Sequence, residues 1–126
     1  PRWPSKLLSV NANTLPLQAV APDVCVAGQL APAAMAEVAR AGFRSVVNNR
    51  PDFEYGPDQP TNAAIEAAAR AAGLEYRFLP VGPAYQSPEE VAAFATLLKE
   101  LPRPILAFCR SGARSAKLYA QALAAG

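Results

Sequence analysis

Histidine is absent from this sequence, since none occurs among its 126 residues. The Ser-His-Asp and Cys-His mechanisms both need an imidazole as general base, so the absence excludes them within this chain. Zinc sites usually include histidine as well, and we expect no metal and no cofactor. If a thiol serves as nucleophile here, arginines and backbone amides must activate it.

The sequence also has little net charge and no long apolar run. Its formal charge of +2 is too small to indicate a nucleic acid or a membrane surface as partner. No apolar stretch approaches the ~20 residues that cross a bilayer. The opening Pro1-Arg2-Trp3-Pro4 lacks the charged and apolar regions of a signal peptide.

Cysteine is scarce too, with Cys25 and Cys109 as the two examples. Two cysteines do not make a disulfide framework, which favours a reducing, cytoplasmic location. The chain begins with Pro1 rather than Met, so we expect a processed chain or part of a longer protein, fused to or acting with another enzyme domain. Its length and 52% hydrophobic content predict one domain over 1–126, with a core of about 24–125.

Short β-like runs alternate along the chain with alanine-rich helical runs. This order predicts an α/β fold with a mainly parallel sheet flanked by helices, because parallel strands need helical crossovers. The predicted strands are 24–27, 45–49, 75–79 and 105–108, with a further candidate edge strand at 7–10, and the predicted helices are 32–41, 62–72, 88 to about 100, and 115–125. Ligands bind beyond the carboxyl ends of such strands. The loops expected there are 50–60, 81–86 and 109–114.

The stretch from Cys109 to Ser115 has the sequence Cys-Arg-Ser-Gly-Ala-Arg-Ser and lies between the last predicted strand and the last predicted helix. A cysteine there faces the start of the helix, where free N–H groups favour an anion and lower the pKa of a thiol. Gly112 lets the backbone turn its amides inward. Arg114 can bind an oxyanion in bidentate fashion, and Ser115 can donate a hydrogen bond to the thiolate.

The candidate substrate-binding residues of this stretch are Arg110, Ser111, Gly112 and Ala113. Alternative interpretations are a small buried apolar Cys109 and a solvated Arg114. A cation at a helix start is unfavourable unless an anion neutralises it, so we favour the functional interpretation.

A second polar stretch follows the strand predicted at 45–49 and runs Asn48-Asn49-Arg50-Pro51-Asp52-Phe53-Glu54. Arg50 is a candidate for anion binding, and Asp52, Glu54 and Asp58 are candidate proton donors. An ordinary turn is the alternative, since Pro-Asp sequences form turns readily.

Cys25 and the pair Tyr85 and Gln86 each have two interpretations. Cys25 lies in an apolar strand and is expected to be a core thiol, with a resolving partner for Cys109 as the alternative. Tyr85 and Gln86 either line the pocket or are simply exposed.

Four motifs together resemble a known family. They are Ala27-Gly28-Gln29, the run from Gly42 to Asp52, the run from Ala71 to Tyr76, and the run from Cys109 to Ser115. Over roughly 24–120 the chain resembles the phosphatase-like domain of the bacterial beta-lactamase hydrolase-like family, a relative of the dual-specificity phosphatases. The resemblance implies a cysteine-phosphatase fold with a phosphate-binding loop that ends at Arg114 or Ser115.

In cysteine phosphatases the thiolate attacks phosphorus, an Arg binds the oxygens and an Asp protonates the leaving group. The resemblance therefore implies Cys109 as nucleophile, Arg114 as oxyanion clamp and Ser115 as the hydroxyl that follows the clamp. Two features depart from the pattern. These enzymes place five residues between Cys and Arg, whereas this chain has four, and its loop 81–86 contains no carboxylate. General acid catalysis is commonly worth about 10²–10⁴-fold, and the candidate substitutes are Asp52 and Asp58.

The four-residue spacing resembles instead the active loop of rhodaneses, which carry sulfane sulfur on the cysteine as a persulfide. That chemistry needs a thiolate and a cationic loop, and it needs no general acid. The sequence therefore predicts a thiol enzyme for a small anionic substrate, either a phosphate ester or a sulfane-sulfur donor. A phosphatase-like hydrolase comes first, a sulfurtransferase second, and a non-catalytic anion- or protein-binding module third.

Overall fold

One five-stranded sheet forms the centre of the protein, in a computed structural model that describes residues 17–54 and 56–125. The strands are β1 (Leu17–Ala21), β2 (Val24–Ala27), β3 (Ser45–Asn48), β4 (Glu75–Phe78) and β5 (Ile105–Phe108). They lie in the order β1-β2-β5-β3-β4, with β1 antiparallel to β2 and the other neighbours parallel. The predicted α/β fold with a mainly parallel sheet is confirmed.

β1 is an antiparallel edge strand that we did not predict. It returns to β2 through a tight turn at Pro22 and Asp23, so the sheet begins upstream of the core boundary expected near residue 24. The residues of β1 are partly or fully exposed, and the strand therefore lacks the continuous apolar run that marks buried parallel strands. The candidate edge strand at 7–10 lies outside the described residues.

Four α-helices connect and flank these strands within the described residues. They are α1 (Met35–Arg40), α2 (Asn62–Ala71), α3 (Pro88–Glu100) and α4 (Ala113–Ala125). The helix predicted at 32–41 is divided, because Pro32–Ala34 form a 3₁₀ helix before α1. α4 begins at Ala113 rather than at the expected Ser115. No helix in the described part of the chain is long and apolar enough to cross a membrane.

Side-chain caps begin two of the helices, α2 and α3. The Thr61 hydroxyl accepts from the Ala64 amide at 3.2 Å. The Ser87 hydroxyl accepts from the Glu90 amide at 3.1 Å, and the Glu90 carboxylate accepts from the Ser87 amide at 2.8 Å. Such caps satisfy free backbone donors and contribute about 1 kcal/mol each. They fix the points at which the loops after β3 and β4 end.

Helices cover both faces of the sheet, so the core has two layers. On one face α1 and α2 pack over the sheet, with Ile65 of α2 against the layer that contains Val46. On the other face α3 and α4 pack, with Phe94 of α3 in the layer that contains Val47. Because successive strand residues point to opposite layers, both faces are filled and a ligand site is left to the edges.

The carboxyl ends of β2, β3 and β5 lie side by side. Phe108, the last residue of β5, pairs with Ala27 on one side and Asn48 on the other. The segments that follow, beginning with Asn49 and Cys109, therefore meet at one edge of the sheet, where ligands bind in folds of this kind.

Candidate active site

Cys109 lies one residue beyond β5, the central strand of the sheet. It begins the cysteine loop, residues 109–115, and it is 1% exposed. Its backbone amide donates to the Ala27 carbonyl at 3.2 Å. α4 starts within the same loop, at Ala113, so the thiol lies at the N-terminus of a long helix, as the sequence predicted.

Backbone amides of the cysteine loop converge on the Cys109 sulfur. The Gly112 N–H donates to Sγ at 3.0 Å, and the amides of Ser111 and Ser115 add further hydrogen bonds. Burial raises the pKa of Cys109, but these amides and the Ser115 hydroxyl outweigh burial and hold the pKa below the ordinary thiol value. These groups therefore ease ionisation of the Cys109 thiol without an imidazole.

Two glycines bring the cysteine loop close to the end of β2. Gly112 has a φ of +95°, and a Cβ at this position would lie 3.3 Å from the Ala27 carbonyl carbon. A Cβ on Gly28 would lie 3.1 Å from the Arg110 carbonyl oxygen, which accepts from the Gln29 amide at 3.1 Å. Position 112 requires glycine for two reasons, the positive φ and the close approach of Ala27. The turn made there directs the Gly112 amide at the Cys109 sulfur.

Arg114 is buried, with 6% of its side chain exposed. Nη1 donates to the Val81 carbonyl at 3.0 Å, and Nη1 and Nη2 lie 3.0 and 3.2 Å from the two carboxylate oxygens of Glu54. Nε has no hydrogen-bond partner among the described residues. A guanidinium has five N–H donors, so the buried N–H of Nε is left for a further acceptor.

Glu54 joins two arginines that the sequence did not connect. Its Oε1 accepts from Arg50 Nε at 3.0 Å and from Arg114 Nη2. Burial raises the pKa of Glu54, but the hydrogen bonds and charges of Arg114 and Arg50 outweigh burial and lower the pKa. A carboxylate bound in this way is a poor proton donor near neutral pH. We therefore interpret Glu54 as a group that positions arginines.

Arg50 is linked to the cysteine loop through Gln29 and Glu54. Its side chain is 8% exposed, and Nη1 donates to the Gln29 Oε1 at 2.9 Å. Gln29 in turn contacts the loop through its backbone amide. The structure thus brings both predicted anion-binding arginines, Arg50 and Arg114, onto the one carboxylate of Glu54.

Asp52, the candidate general acid, lies on an exposed turn. Its Oδ1 accepts from the Asn62 amide at 2.7 Å, a contact at the start of α2. No hydrogen bond joins Asp52 to the cysteine loop within the described part of the chain. Asp58 is exposed as well. A catalytic role for either carboxyl group stays a prediction.

Three of the candidate substrate-binding residues lie at the rim of the cysteine loop. Arg110, Ser111 and Ala113 are exposed, and the Ala113 amide approaches the Ser111 hydroxyl at 3.4 Å. Their geometry suits a site whose interior is lined by backbone amides and whose entrance carries a cation. Substrate binding by these side chains stays a prediction.

Asn49 and Val81 are site residues that we did not assign from the sequence. The Ser115 hydroxyl donates to Asn49 Oδ1 at 2.8 Å, and Ser115 and Asn49 are both fully buried. An asparagine at the end of an apolar strand was the available signal, since a buried amide needs partners. Val81 binds Arg114 through its backbone carbonyl, which no pattern of side chains reveals.

Cys25 lies within β2 rather than beyond the end of a strand. It pairs with Leu106 of β5 and belongs to the core cluster that also contains Phe108. Burial raises the pKa of Cys25 to about 12. These observations favour a core thiol over a resolving partner for Cys109, and both cysteines are free.

A groove of about 500 Å³ lies between α3 and α4, and none of its lining residues belongs to the cysteine loop. Tyr85 and Gln86 both line this groove, with Tyr85 70% exposed and Gln86 4% exposed. Both residues therefore line a cavity, but a different one from the thiol site. Within residues 17–54 and 56–125, no group of three His, Cys, Asp or Glu side chains could hold a metal ion.

A family model described as "Beta-lactamase hydrolase-like protein, phosphatase-like domain" matches residues 16–126. A relative named Beta-lactamase hydrolase-like protein, from Xylella fastidiosa strain Temecula1, is 44% identical over 82 residues, which cover 65% of this chain and 19% of that protein. One of the same name from Agrobacterium fabrum is 37% identical over 94 residues, or 75% and 22% of the two chains. The chain thus spans about a fifth of the length of these relatives.

Solved phosphatase structures share the fold. A candidate phosphatase from Neisseria meningitidis Z2491 has a TM-score of 0.74 and 28% identity, with 82% of this chain and 72% of that chain covered. TpbA from P. aeruginosa, solved in complex with pTyr, has a TM-score of 0.55 and 18% identity, with coverage of 79% and 56%. The predicted cysteine-phosphatase fold is confirmed.

Proposed function

Since the chain belongs to the phosphatase-like domain family of the beta-lactamase hydrolase-like proteins, we propose that it hydrolyses phosphate esters with Cys109 as nucleophile. The observation that carries the proposal is the convergence of backbone amides on the Cys109 sulfur, which stabilises the thiolate. Arg114 supports it, because the buried guanidinium of the same loop has an Nε donor left for an oxyanion.

The reaction consists of two displacements at phosphorus. In the first, the Cys109 thiolate forms a P–S bond, the P–O bond to the leaving group breaks, and its electron pair departs on the oxygen. In the second, water attacks phosphorus, the P–S bond breaks, and inorganic phosphate, the thiolate and a proton are released. Arg114 and the loop amides stabilise the charge on the non-bridging oxygens in both steps.

The leaving group narrows the substrate class. The loop 81–86 contains no carboxylate, and Glu54 is held by two arginines. An oxygen of low pKa departs without a proton, whereas an alkoxide needs one. The proposed substrates are therefore phosphate esters with acidic leaving groups, such as aryl phosphates.

A leaving-group series tests this proposal. We expect kcat/KM to be at least about 10²-fold higher for an aryl phosphate than for an alkyl phosphate, because the contribution of an acid is missing. Equal values would show that a proton donor operates and would overturn the substrate class. Phosphate release from neither ester would overturn the proposed function.

Arg114 can be tested against the exposed Arg110 of the same loop. Arg114→Lys should lower kcat/KM for an aryl phosphate by about 10²–10³-fold, since an ammonium cannot offer two parallel N–H groups to an oxyanion. Arg110→Lys is the matched control and should have a far smaller effect. Equal losses in the two variants would remove Arg114 from its role as clamp.

Sulfur transfer is the second candidate function, and the four-residue gap between Cys109 and Arg114 favours it. The Cys109 thiolate would attack the outer sulfur of thiosulfate, break the S–S bond and release sulfite. Cyanide would then take the sulfur from the persulfide as thiocyanate and restore the thiolate. Neither step needs a general acid, which agrees with the composition of the loop 81–86.

The two candidates are separated by parallel assays. A mass increase of one sulfur on Cys109 after thiosulfate treatment, with thiocyanate formed and no phosphate released, would establish the sulfurtransferase. Phosphate release without thiocyanate would establish the hydrolase. Binding of sulfate or phosphate with neither turnover would indicate a non-catalytic anion-binding module.

A further inference from the structure

The Ser115 hydroxyl has one proton and two neighbouring acceptors. It donates to Asn49 Oδ1 at 2.8 Å, and it also lies within hydrogen-bonding reach of the Cys109 sulfur, where it helps to lower the thiol pKa. A single O–H cannot serve both acceptors fully at once. The direction of this proton therefore determines how strongly the sulfur is stabilised.

Asn49 is held by three hydrogen bonds to backbone groups of other residues. Its Nδ2 donates to the Leu79 carbonyl at 3.0 Å, which turns Oδ1 toward Ser115. Its own amide donates to the Phe108 carbonyl at 2.8 Å, and its carbonyl accepts from the Val81 amide at 3.0 Å. The residue is fully buried. Its amide oxygen is thus a rigid acceptor between the ends of β3, β4 and β5.

We propose that Asn49 is a positioning residue that draws the Ser115 proton away from Cys109 when the sulfur attacks and yields it to the sulfur when the sulfur departs. This inference rests on the proposed function. In the first step a hydrogen bond to the thiolate would weaken the nucleophile, because nucleophilicity falls as thiol pKa falls. In the second step the P–S bond breaks and the electron pair returns to sulfur, where a hydrogen bond stabilises it.

The sign of the expected change distinguishes this role from general disruption of the site. In Asn49→Ala the Ser115 proton has only the sulfur as acceptor, so the pKa of Cys109 should fall by about half a unit to one unit. Ser115→Ala should raise the pKa by a similar amount. The double variant should match Ser115→Ala, since Asn49 acts through the hydroxyl.

The measurement is the pH profile of iodoacetamide alkylation at Cys109, followed by mass spectrometry on protein whose fold is checked by circular dichroism. Asn48→Ala is the matched control. Asn48 is a neighbouring buried asparagine, but it bonds to Tyr76 and to the Arg50 amide rather than to Ser115. Asn48→Ala should leave the pH profile of Cys109 alkylation unchanged.

Asn49→Leu repeats the test with the volume of the amide filled. An unchanged or raised Cys109 pKa in the Asn49 variants would overturn the inference. Unfolding of both variants while Asn48→Ala folds would also overturn it, since Asn49 would then be a structural residue.

Alkylation needs no turnover, so the inference and the proposed function can fail separately. If the expected pKa shifts are found but no phosphate is released, the proposed function is overturned, and so is the catalytic use of the Ser115 proton. The control of that proton by Asn49 would still stand. With an active enzyme, kcat/KM for an aryl phosphate should fall about threefold in Asn49→Ala for each unit by which the pKa falls. Ser115→Ala should erase this dependence on Asn49.

Discussion

Cys25 lies within β2 and Cys109 directly follows β5, the adjacent parallel strand. Both thiols are free, and they are 4% and 1% exposed. Their thiols nevertheless have opposite character. Burial raises the pKa of Cys25 to about 12, whereas hydrogen bonds overcome the same burial at Cys109 and lower its pKa. Depth in the protein therefore does not decide which thiol is reactive.

The difference arises from the position of each cysteine relative to the end of its strand. Cys25 lies inside β2, where the backbone amides bond to the neighbouring strands of the sheet, and burial is the cause of its raised pKa. Cys109 lies just beyond β5, where the chain turns at Gly112 and directs its amides at the sulfur. A strand end followed by a helix start thus makes a buried thiol into an anion site.

The same substitution at the two cysteines should give the largest contrast. Cys109→Ser should lower aryl phosphate hydrolysis by roughly 10³-fold or more, as expected when a nucleophile is removed. Cys25→Ser should retain activity, because that thiol belongs to the hydrophobic core rather than to the cysteine loop. Steady-state assays on folded protein measure both. A folded Cys25→Ser variant as inactive as Cys109→Ser would break the comparison.

Alkylation should separate the two thiols in the unmodified chain. The thiolate fraction falls tenfold for each pH unit below the pKa. A thiol of ordinary pKa, ~8.5, carries about 10³-fold more thiolate at pH 7 than Cys25, whose pKa is about 12. Because the loop amides hold the pKa of Cys109 below the ordinary thiol value, Cys109 should react with iodoacetamide at least about 10³-fold faster than Cys25 at pH 7. Peptide mapping by mass spectrometry gives the ratio. A Cys109 profile that rises only near the ~8.5 of a free thiol would contradict the comparison.

Gly112 offers a way to make Cys109 behave more like Cys25. In Gly112→Ala the new Cβ would meet the Ala27 carbonyl carbon at 3.3 Å, so the amide should turn from the sulfur. We expect activity to fall by about 10²-fold, the scale of one lost backbone donor, and the Cys109 pKa to rise.

Gly56→Ala is the matched control for Gly112→Ala. Gly56 also has a positive φ, +106°, but nothing lies within 4 Å of its Cβ position. The substitution should cost about 1–2 kcal/mol of stability in urea unfolding and leave the alkylation profile unchanged. A similar rise of the Cys109 pKa in both variants would assign the effect to backbone strain rather than to the lost amide.

The cysteine loop could be predicted from the sequence because its chemistry is local. Cys109, Gly112 and Arg114 lie within six consecutive residues, and the strand, the turn and the helix start follow from the residues beside them. The strand β1 could not be predicted from the sequence, because its partly or fully exposed residues do not form an apolar run.

The partners of the loop were hidden for a different reason. Glu54 and Arg114 are 60 positions apart, and Ser115 and Asn49 are 66 apart. Such contacts depend on the order of the strands in the sheet, which local patterns do not contain. The sequence suggests Glu54 as a possible acid. Its pKa is lowered by Arg50 and Arg114, and only the fold shows that both arginines lie beside it.

The two thiols should also change stability with pH in opposite directions, although the effect is small. The folded pKa of Cys25, about 12, lies above the ~8.5 of a free thiol. Its contribution to the free energy of unfolding is therefore complete below about pH 9 and is lost as the pH rises toward 12. For Cys109 the folded pKa is the lower one. Its contribution is present above about pH 9 and is lost as the pH falls through the folded value.

Urea unfolding of alanine variants can resolve these slopes. Between pH 8 and pH 10 the Cys25→Ala variant should lose about 1 kcal/mol less free energy of unfolding than the parent. The Cys109→Ala variant should lack the rise in the free energy of unfolding that the parent shows as the pH increases toward 9. Differences between each variant and the parent cancel the tyrosines and lysines that titrate over the same range. Slopes that change in the same direction would mean that the amides of the cysteine loop do not outweigh burial, and Cys109 would then be a second core thiol.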